Sequence, residues 1–331
     1  MIGRLETHRL TSHALEGNPL GDPAERALHV WVPPGASGRL PVVYFLHGFG
    51  GTVDGWLQSS GFGPNVPERL GAKVGAGELP PFLAVFVDGW TALGGAQWIN
   101  SSANGNYLDY LTEDVVRFVD GAYATVNAAG GRALVGKSSG AYGALVAASL
   151  RPGRFGHVGC HAPDSAFEYC YLNDLPKAAG ALLAAGGPEA WLAGFRQRVR
   201  ETKMRGDDFT VINVLAMSAA YSPHPGAPLG LELPFDPQTA RLRLAVWSQW
   251  TQHDPVRFVP ERMDSFRNLS SLFLDCGTRD EFNLRWGTRM ISESLRAAGV
   301  DHVHEEFEDG HMGINYRFER SLSYLLPRMA R

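Results

Sequence analysis

Two short runs of consecutive apolar residues constrain the fold of this chain most strongly. Residues 42–46 read VVYFL and residues 83–87 read LAVFV, with no polar residue in either run. A strand with one face in water alternates apolar and polar residues, whereas a strand covered on both faces does not. Both runs therefore indicate strands in the interior of a parallel sheet that has helices on each side.

Strand-like and helix-like segments alternate along most of the chain, which predicts an α/β fold with a mostly parallel central sheet flanked by helices. Strands are predicted at 27–32, 42–47, 83–88, 133–136, 157–160, 271–275 and 303–307, with a further strand within 5–14. Helices are predicted at 107–126, 141–150, 285–298 and 315–329. Residues 164–263 break this rhythm with proline-rich turns and many aromatic residues, and we interpret them as a cap inserted between two late strands. We expect the whole chain, 1–331, to form one domain.

Charge and composition exclude several classes of function. The 331 residues include 30 Lys and Arg against 34 Asp and Glu, so there is no basic field for nucleic acid. No run of apolar residues is long enough to cross a membrane, and the polar N-terminus resembles no signal peptide. The three cysteines show no metal-binding or disulfide spacing. These features predict a cytoplasmic protein without a bound metal or other cofactor.

The segment Gly136–Gly140, GKSSG, matches the G-x-S-x-G pattern of a nucleophile elbow. A predicted strand precedes it and a predicted helix follows it, which is the setting that such an elbow requires. The flanking glycines permit a sharp turn, and the N-terminus of the helix favours developing negative charge. Ser138 is therefore the candidate nucleophile.

The same stretch also fits G-x-x-x-x-G-K-S, the phosphate-binding P-loop pattern, from Gly131 to Ser138. A P-loop needs a flexible loop across its four middle positions. Here these positions are occupied by RALV, which has the character of a strand. The elbow is therefore favoured over a nucleotide site.

A serine hydroxyl needs a histidine base and a carboxylate that orients the base, in the chain order Ser, Asp or Glu, His. His311 lies in a glycine-flanked turn after the last predicted strand, and Asp280 lies in the loop after strand 271–275. Glu281 is the alternative acid, and Asp275 is expected to belong to the strand itself. His302 and His304, which alternate on a strand, are expected to be structural. His47 is expected to brace a turn.

An oxyanion formed during attack on an ester needs backbone N–H donors that are fixed in advance. One donor is expected from Ser139, directly after the nucleophile. The other is expected from the loop HGFGG at 47–51, with the N–H of Phe49 as the best candidate.

Together these motifs resemble the putative-esterase (esterase D-like) family of α/β-hydrolases, which includes feruloyl and carbohydrate esterases and S-formylglutathione hydrolases. The resemblance rests on GNPLGDP at 17–23, LHGFGG at 46–51, GKSSG at 136–140, CGTRD at 276–280 and GH at 310–311, in the expected order. It implies an α/β-hydrolase fold, with Ser138 as nucleophile, Asp280 as acid and His311 as base. It also implies that Phe49 and Ser139 are the oxyanion donors.

We therefore predict a serine carboxylesterase acting on short-chain acyl or aryl esters. Acyl transfer, amide cleavage, and feruloyl or carbohydrate ester hydrolysis by the same triad stay open, as does an inactive binding module with this fold. Substrate contacts are predicted for Trp90, Trp98, Asn100 and Tyr169. The expected partner is a small-molecule ester, without nucleic acid or membrane, and a homodimer is a possible assembly.

Overall fold

The computed structural model describes residues 3–330, and its centre is an eight-stranded sheet in the order β1-β2-β4-β3-β7-β8-β9-β10. The strands are β1 (Arg4–Thr11), β2 (Glu25–Val32), β3 (Val42–Leu46), β4 (Leu83–Val87), β7 (Arg132–Lys137), β8 (His157–His161), β9 (Ser271–Gly277) and β10 (Val303–Phe307). A small separate hairpin pairs β5 (Asn100–Ser101) with β6 (Gly105–Asn106). Within the eight-stranded sheet, β1 pairs antiparallel with β2 and β2 antiparallel with β4, and the other pairs are parallel.

Strand β3 shows why its sequence is uniformly apolar. Val42, Tyr44 and Leu46 pack into the hydrophobic core on one face of the sheet. Val43 and Phe45 pack into a second core on the other face, where Phe45 contacts the ring of Phe318 at a centroid distance of 5.5 Å. Every side chain of this strand is thus removed from water, as the sequence predicts for a parallel sheet covered by helices.

Helices cover both faces of the sheet. They are α1 (Val66–Gly75), α2 (Tyr107–Asp109), α3 (Val116–Ala122), α4 (Ser139–Leu150), α5 (Phe167–Cys170), α6 (Leu175–Ala185), α7 (Pro188–Glu201), α8 (Asp208–Tyr221), α9 (Leu244–Gln252), α10 (Pro255–Glu261), α11 (Met263–Arg267), α12 (Leu284–Ala297) and α13 (Arg317–Leu325). The predicted α/β fold with a mostly parallel sheet is confirmed. None of the helices described is long and apolar enough to cross a membrane.

Two helical predictions need correction, and one helix outside the cap was missed. The helix expected at 107–126 ends at Ala122 and contains a π-helical stretch at Tyr110–Val115. The helix expected at 315–329 is a 3-10 turn, then α13, then a second 3-10 turn, since Pro327 disfavours continuation. Helix α1, between β3 and β4, was not predicted. Its N-cap is Asn65, whose side chain accepts a hydrogen bond from the Glu68 N–H.

The segment between β8 and β9 contains helices α5 to α11 and covers one face of the sheet. Its side chains join the same hydrophobic core as the sheet and helix α4. The ring of Tyr221 on α8, for example, lies 5.9 Å from the ring of Tyr142 on α4. This shared core fixes the position of the segment relative to the carboxyl ends of the strands.

Candidate active site

Five adjacent parallel strands, β3, β7, β8, β9 and β10, deliver polar loops to one edge of the sheet. Residues that follow the carboxyl ends of parallel strands meet at the same edge, which is where ligands bind in open α/β sheets. Ser138 follows β7 directly, Asp280 follows β9, and His311 follows β10. All three lie at this edge, as their positions in the sequence predict.

Ser138 has the strained backbone of an elbow. Its φ is 59° and its ψ is −128°, a conformation that is rare for a residue with a side chain. The Ser138 N–H donates to the carbonyl of His161, and its carbonyl accepts from the Tyr142 N–H at the start of helix α4. Because packing on both sides holds this turn, the hydroxyl is presented to the cavity at the helix N-terminus.

The glycines around the elbow are required by close backbone contacts. A Cβ at Gly140 would lie 2.0 Å from the Leu46 carbonyl oxygen, and one at Gly136 would lie 2.3 Å from the Gly140 carbonyl carbon. The four middle positions of the P-loop pattern lie in β7. No loop is left there to surround a phosphate, so the P-loop interpretation is excluded.

The Asp280 carboxylate holds the imidazole of His311. Its Oδ2 lies 2.8 Å from His311 Nδ1, while its Oδ1 accepts from the backbone N–H groups of Phe282 and Leu284. Burial alone would raise the pKa of Asp280, but the hydrogen bond and charge of His311, with those two N–H groups, hold it below its ordinary value. The carboxylate is therefore ionised at neutral pH and fixes Nδ1 as the protonated ring nitrogen.

Glu281, the alternative acid, contacts a different part of His311. Its Oε2 accepts from the His311 backbone N–H at 2.6 Å, so it positions the loop and not the ring. A Cβ at Gly310 would lie 2.7 Å from this carboxylate, which explains the glycine before the histidine. Of the two neighbouring carboxylates, Asp280 is the one that orients the imidazole.

The backbone N–H groups of Phe49 and Ser139 are unpaired among residues 3–330. Phe49 lies in the loop after β3, and Ser139 is the first residue of α4. Gly48 brings the two loops together, because its Cβ position lies 3.1 Å from Ser138 Cβ. Two N–H donors near the serine hydroxyl have the character of an oxyanion hole.

An open cavity of about 540 Å³ lies over Ser138 and His311. Aromatic side chains form much of its wall, namely Phe49, Trp56, Tyr169, Tyr171, Phe209 and Phe282. Such a cavity accommodates a small apolar ligand with few polar contacts.

Comparison with known families identifies the family of this chain. Residues 23–328 match the family described as Putative esterase. The chain belongs to this family. It is accordingly a serine ester hydrolase with the α/β-hydrolase fold.

Solved structures with this fold resemble the esterase over nearly its full length. A ferulic acid esterase has a TM-score of 0.63 at 17% identity, covering 99% of both chains. An S-formylglutathione hydrolase from Agrobacterium tumefaciens has a TM-score of 0.59 at 16% identity, covering 99% of this chain and 96% of that one. A ferulic acid esterase from Anaeromyces mucronatus has a TM-score of 0.54 at 16% identity, with 98% and 91% covered. At these low sequence identities, the similarity shows a shared fold and nothing more.

Two histidines of this esterase outside the triad have structural contacts, as expected. His47 Nε2 accepts from the Gly89 N–H at 2.9 Å, and its Nδ1 lies 3.0 Å from the Gly48 carbonyl. Burial lowers the pKa of His47, which keeps the ring neutral. His302 lies 2.8 Å from the Ser292 hydroxyl through Nε2 and contacts the Val300 carbonyl through Nδ1. Each ring therefore braces local structure.

Three of the four predicted substrate contacts of the esterase lie away from the cavity wall. Trp98 is buried and donates from its indole N–H to the His47 carbonyl. Asn100 accepts from the N–H groups of Leu108 and Asp109 and so caps helix α2. Trp90 is partly exposed, and the Tyr107 hydroxyl donates to its carbonyl. Of the four, only Tyr169 lines the cavity. The prediction failed for the other three because residue type alone does not distinguish a packed side chain from one that contacts substrate.

Three charged residues of the cavity wall, Lys137, Asp164 and Asp174, were not predicted from the sequence, and the first two lie next to Ser138. Asp164, three residues after β8, accepts a hydrogen bond from the Ser138 hydroxyl at 3.1 Å. Lys137, directly before the nucleophile, also lines the cavity, and burial lowers its pKa despite the nearby carboxylates of Asp280, Glu281 and Asp164. Asp280 and His311 were predicted because each follows a parallel strand and so lies at one edge of the sheet. The same argument applied to the loop after the predicted strand 157–160 would have pointed to Asp164.

Proposed function

We propose that this esterase is a carboxylesterase that hydrolyses short-chain acyl or aryl esters through an acyl-enzyme on Ser138. The observation that carries the proposal is the contact of 2.8 Å between Asp280 Oδ2 and His311 Nδ1, at a cavity that also holds Ser138. This contact leaves Nε2 as the ring nitrogen that takes a proton. The three residues then have distinct roles as nucleophile, base and orienting acid.

In the first half of the reaction, Ser138 Oγ attacks the ester carbonyl and its proton passes to His311 Nε2. The imidazolium is stabilised by the Asp280 carboxylate, and the backbone N–H groups of Phe49 and Ser139 stabilise the oxyanion. His311 then protonates the departing alcohol, which leaves the acyl group on Ser138. Water activated by the same imidazole releases the acid and restores the serine.

The resting serine must first change its hydrogen bond. Its hydroxyl donates to Asp164, and within residues 3–330 it has no hydrogen bond to the His311 ring. Catalytic hydrogen bonds are often long or absent until substrate is bound. Rotation of the hydroxyl from Asp164 to His311 therefore belongs to the approach to the transition state.

The size and wall of the cavity support a small acyl or aryl ester as substrate. The space of about 540 Å³ matches a small ligand, and aromatic rings supply apolar contact area. The similar structures named ferulic acid esterase suggest an aryl ester as one test compound. S-Formylglutathione is a second, because another similar structure is named for its hydrolysis.

The test is hydrolysis of p-nitrophenyl esters of increasing acyl length, methyl ferulate and S-formylglutathione, by purified wild type and Ser138→Ala. We expect activity on short acyl or aryl esters that is lost in the variant. Folded wild-type protein that hydrolyses none of these compounds would refute the proposal and favour an acyltransferase or a silent binder. Activity that survives in Ser138→Ala would show that another residue is the nucleophile.

A further inference from the structure

Asp164 is a buried carboxylate that contacts the nucleophile and has no role in the mechanism above. Its side chain lies on the cavity wall and its exposed fraction is only 8%. Oδ1 accepts from the Ser138 hydroxyl at 3.1 Å, and Oδ2 accepts from Gln97 Nε2 and the Tyr171 hydroxyl, each at 3.0 Å. Burying a carboxylate costs free energy unless it is well paired, so its place beside the nucleophile needs an explanation.

The partners of Asp164 are all neutral donors. Within the described part of the chain it forms no ion pair with a lysine, arginine or histidine. Burial raises the pKa of Asp164, against the hydrogen bonds from Gln97, Tyr171 and Ser138 and the charge of His311. Of its two oxygens, Oδ2 is saturated by donors from the protein. Oδ1 is held only by a hydroxyl that must turn away for catalysis.

Backbone strain surrounds this carboxylate. Gln97 and Trp98 have φ values of 53° and 56°, and Ala162 and Ala166, on either side of Asp164, have 48° and 52°. Such conformations are costly for residues with side chains and persist where the surrounding structure enforces them, commonly at functional sites. The strained loops hold Gln97 and Asp164 in contact at the cavity.

Charges on the cavity wall favour ligands that donate hydrogen bonds. Asp164, Asp174 and Glu281 line the cavity against a single lysine, Lys137. Acidic side chains thus outnumber the lysine on this wall. The wall therefore attracts an ammonium or hydroxyl and repels an anionic acyl group.

The geometry limits where a donor on the substrate would sit. At attack, the ester carbonyl carbon lies about 3 Å from the serine oxygen, and Asp164 Oδ1 lies 3.1 Å from the same oxygen. When the acyl group is turned towards Asp164, these two distances allow a donor on the carbon next to the carbonyl to reach Oδ1. The leaving oxygen must face His311, which protonates it, so the donor belongs to the acyl group.

We propose that Asp164 selects the acyl group by accepting a hydrogen bond from an ammonium or hydroxyl on its α-carbon. Preferred substrates are then esters of α-amino or α-hydroxy acids, a specificity that rests on the proposed function of the site. The donor replaces the Ser138 hydroxyl on Oδ1 and frees that hydroxyl for His311. Asp164 takes up no proton in the reaction, because the serine proton still passes to His311 Nε2.

The test uses three esters that differ in one group, namely ethyl alaninate, ethyl lactate and ethyl isobutyrate, with an ammonium, a hydroxyl and a methyl on the α-carbon. Hydrolysis is followed by release of ethanol at about pH 6.5, where the amine is protonated. For wild type we expect kcat/KM for at least one donor ester to exceed that for isobutyrate by about 10-fold or more, mostly through kcat. A preference for alaninate alone identifies the ammonium as the group that binds Asp164, and a preference for lactate alone identifies the hydroxyl.

Asp164→Asn tests the residue itself. Two protein donors face the Oδ2 position, so the variant amide turns its oxygen to them and its N–H group towards Ser138. We expect the preference for a donor ester over isobutyrate to fall about 10-fold or more, on top of any change in rate that the variant causes for all three esters alike. Asp174→Asn is the matched control, because it removes one wall charge without touching Ser138, and it should change the ratio less than about 3-fold.

The possible failures are distinguishable. If wild type hydrolyses no ester, or Ser138→Ala retains activity, the proposed function fails. If wild type is active, Ser138→Ala is inactive and isobutyrate is hydrolysed as well as both donor esters, only the role of Asp164 is refuted. An unchanged preference in folded Asp164→Asn refutes it too. If that variant does not fold, the wild-type ranking decides the question after it is divided by the rates at which hydroxide alone hydrolyses the three esters.

Discussion

Two Ser–His–Asp arrangements within residues 3–330 differ in their surroundings, because one lies at a cavity and the other is buried. In the first, Asp280 Oδ2 lies 2.8 Å from His311 Nδ1, with Ser138 at the same cavity. In the second, Asp275 Oδ1 lies 2.7 Å from His161 Nδ1, and His161 Nε2 lies 2.9 Å from the Ser321 hydroxyl. By hydrogen bonding alone, the second arrangement is the more complete triad.

The surroundings separate the two arrangements. Ser321, His161 and Asp275 are all 0% exposed, whereas Ser138 lies on the cavity wall. Ser321 lies inside helix α13 and donates to the Phe318 carbonyl, with no elbow and no backbone N–H directed at a substrate. Asp275 also binds the Arg317 guanidinium at 2.8 Å, so it ties a helix to the sheet. Access to a cavity, an elbow and unpaired backbone N–H groups therefore distinguish the proposed catalytic triad from the buried arrangement.

The largest expected contrast is between the two serines. Ser138→Ala removes the nucleophile, and we expect kcat to fall by about 10⁴- to 10⁶-fold. Ser321→Ala removes a buried hydrogen bond from His161, and we expect kcat within a few-fold of wild type with about 1–3 kcal/mol less stability. Steady-state kinetics and urea unfolding of both variants check this. Equal losses of activity in two folded variants would contradict the comparison.

The two aspartates give the next contrast. Asp280→Asn leaves the imidazole in the wrong tautomer, and we expect kcat to fall by about 10⁴-fold while the protein stays folded. Asp275→Asn breaks a buried network with His161 and Arg317, which should cost about 3–5 kcal/mol of stability. Activity per folded molecule of Asp275→Asn should stay near that of wild type. A large loss of this activity, measured at a temperature where the protein is folded, would show that the buried arrangement contributes to catalysis.

The loop at residues 47–51, which carries the proposed oxyanion donor Phe49, has no counterpart in the buried arrangement, and Gly48→Ala tests its role. The added Cβ would lie 3.1 Å from Ser138 Cβ and 3.2 Å from the Lys137 carbonyl, so the loop must shift. We expect kcat to fall by about 10- to 100-fold, since small misplacements of catalytic groups are costly. Gly121→Ala is the control, because its Cβ position is open and it lies in helix α3. Equal activities of the two variants would remove this loop from the mechanism.

The smallest expected effect is a dependence of stability on pH. The lowered pKa of Asp280 means that its ionised form stabilises the folded protein. This stability is present above the ordinary aspartate pKa and is lost as pH falls through the lower value in the folded protein. Wild type should thus be more stable than Asp280→Asn at pH 7, and the two should converge below about pH 4. Urea unfolding between pH 7 and pH 3 measures the difference, and a constant gap would contradict it.

Much of the site could be predicted because it depends on order along the chain. Each of the elbow, acid and base follows a strand of a parallel sheet, and such strands place their carboxyl ends at one edge. Asp164 follows the same rule but lies in no motif, so only the contact with Ser138 revealed it. Trp98 and Asn100 were instead predicted to contact substrate but do not line the cavity. Packing and helix capping use the same residue types as binding, so the sequence does not separate these roles. The cytoplasmic location and the homodimer stay predictions.

The sequence by itself determined the parallel sheet, since runs such as 42–46 are stable only where both faces are buried. It also determined Ser138 as an elbow serine, because glycines stand where no side chain fits. Only the tertiary structure decided between Asp280 and Glu281 as the partner of the His311 ring, and showed that Asp275 binds His161. Asp275 and Asp280 are five residues apart and both are buried, yet Asp275 binds Arg317 of helix α13, whereas Asp280 binds His311, which lines the cavity. The physical reason is that access to solvent depends on the packing of distant elements, which no local pattern of residues encodes.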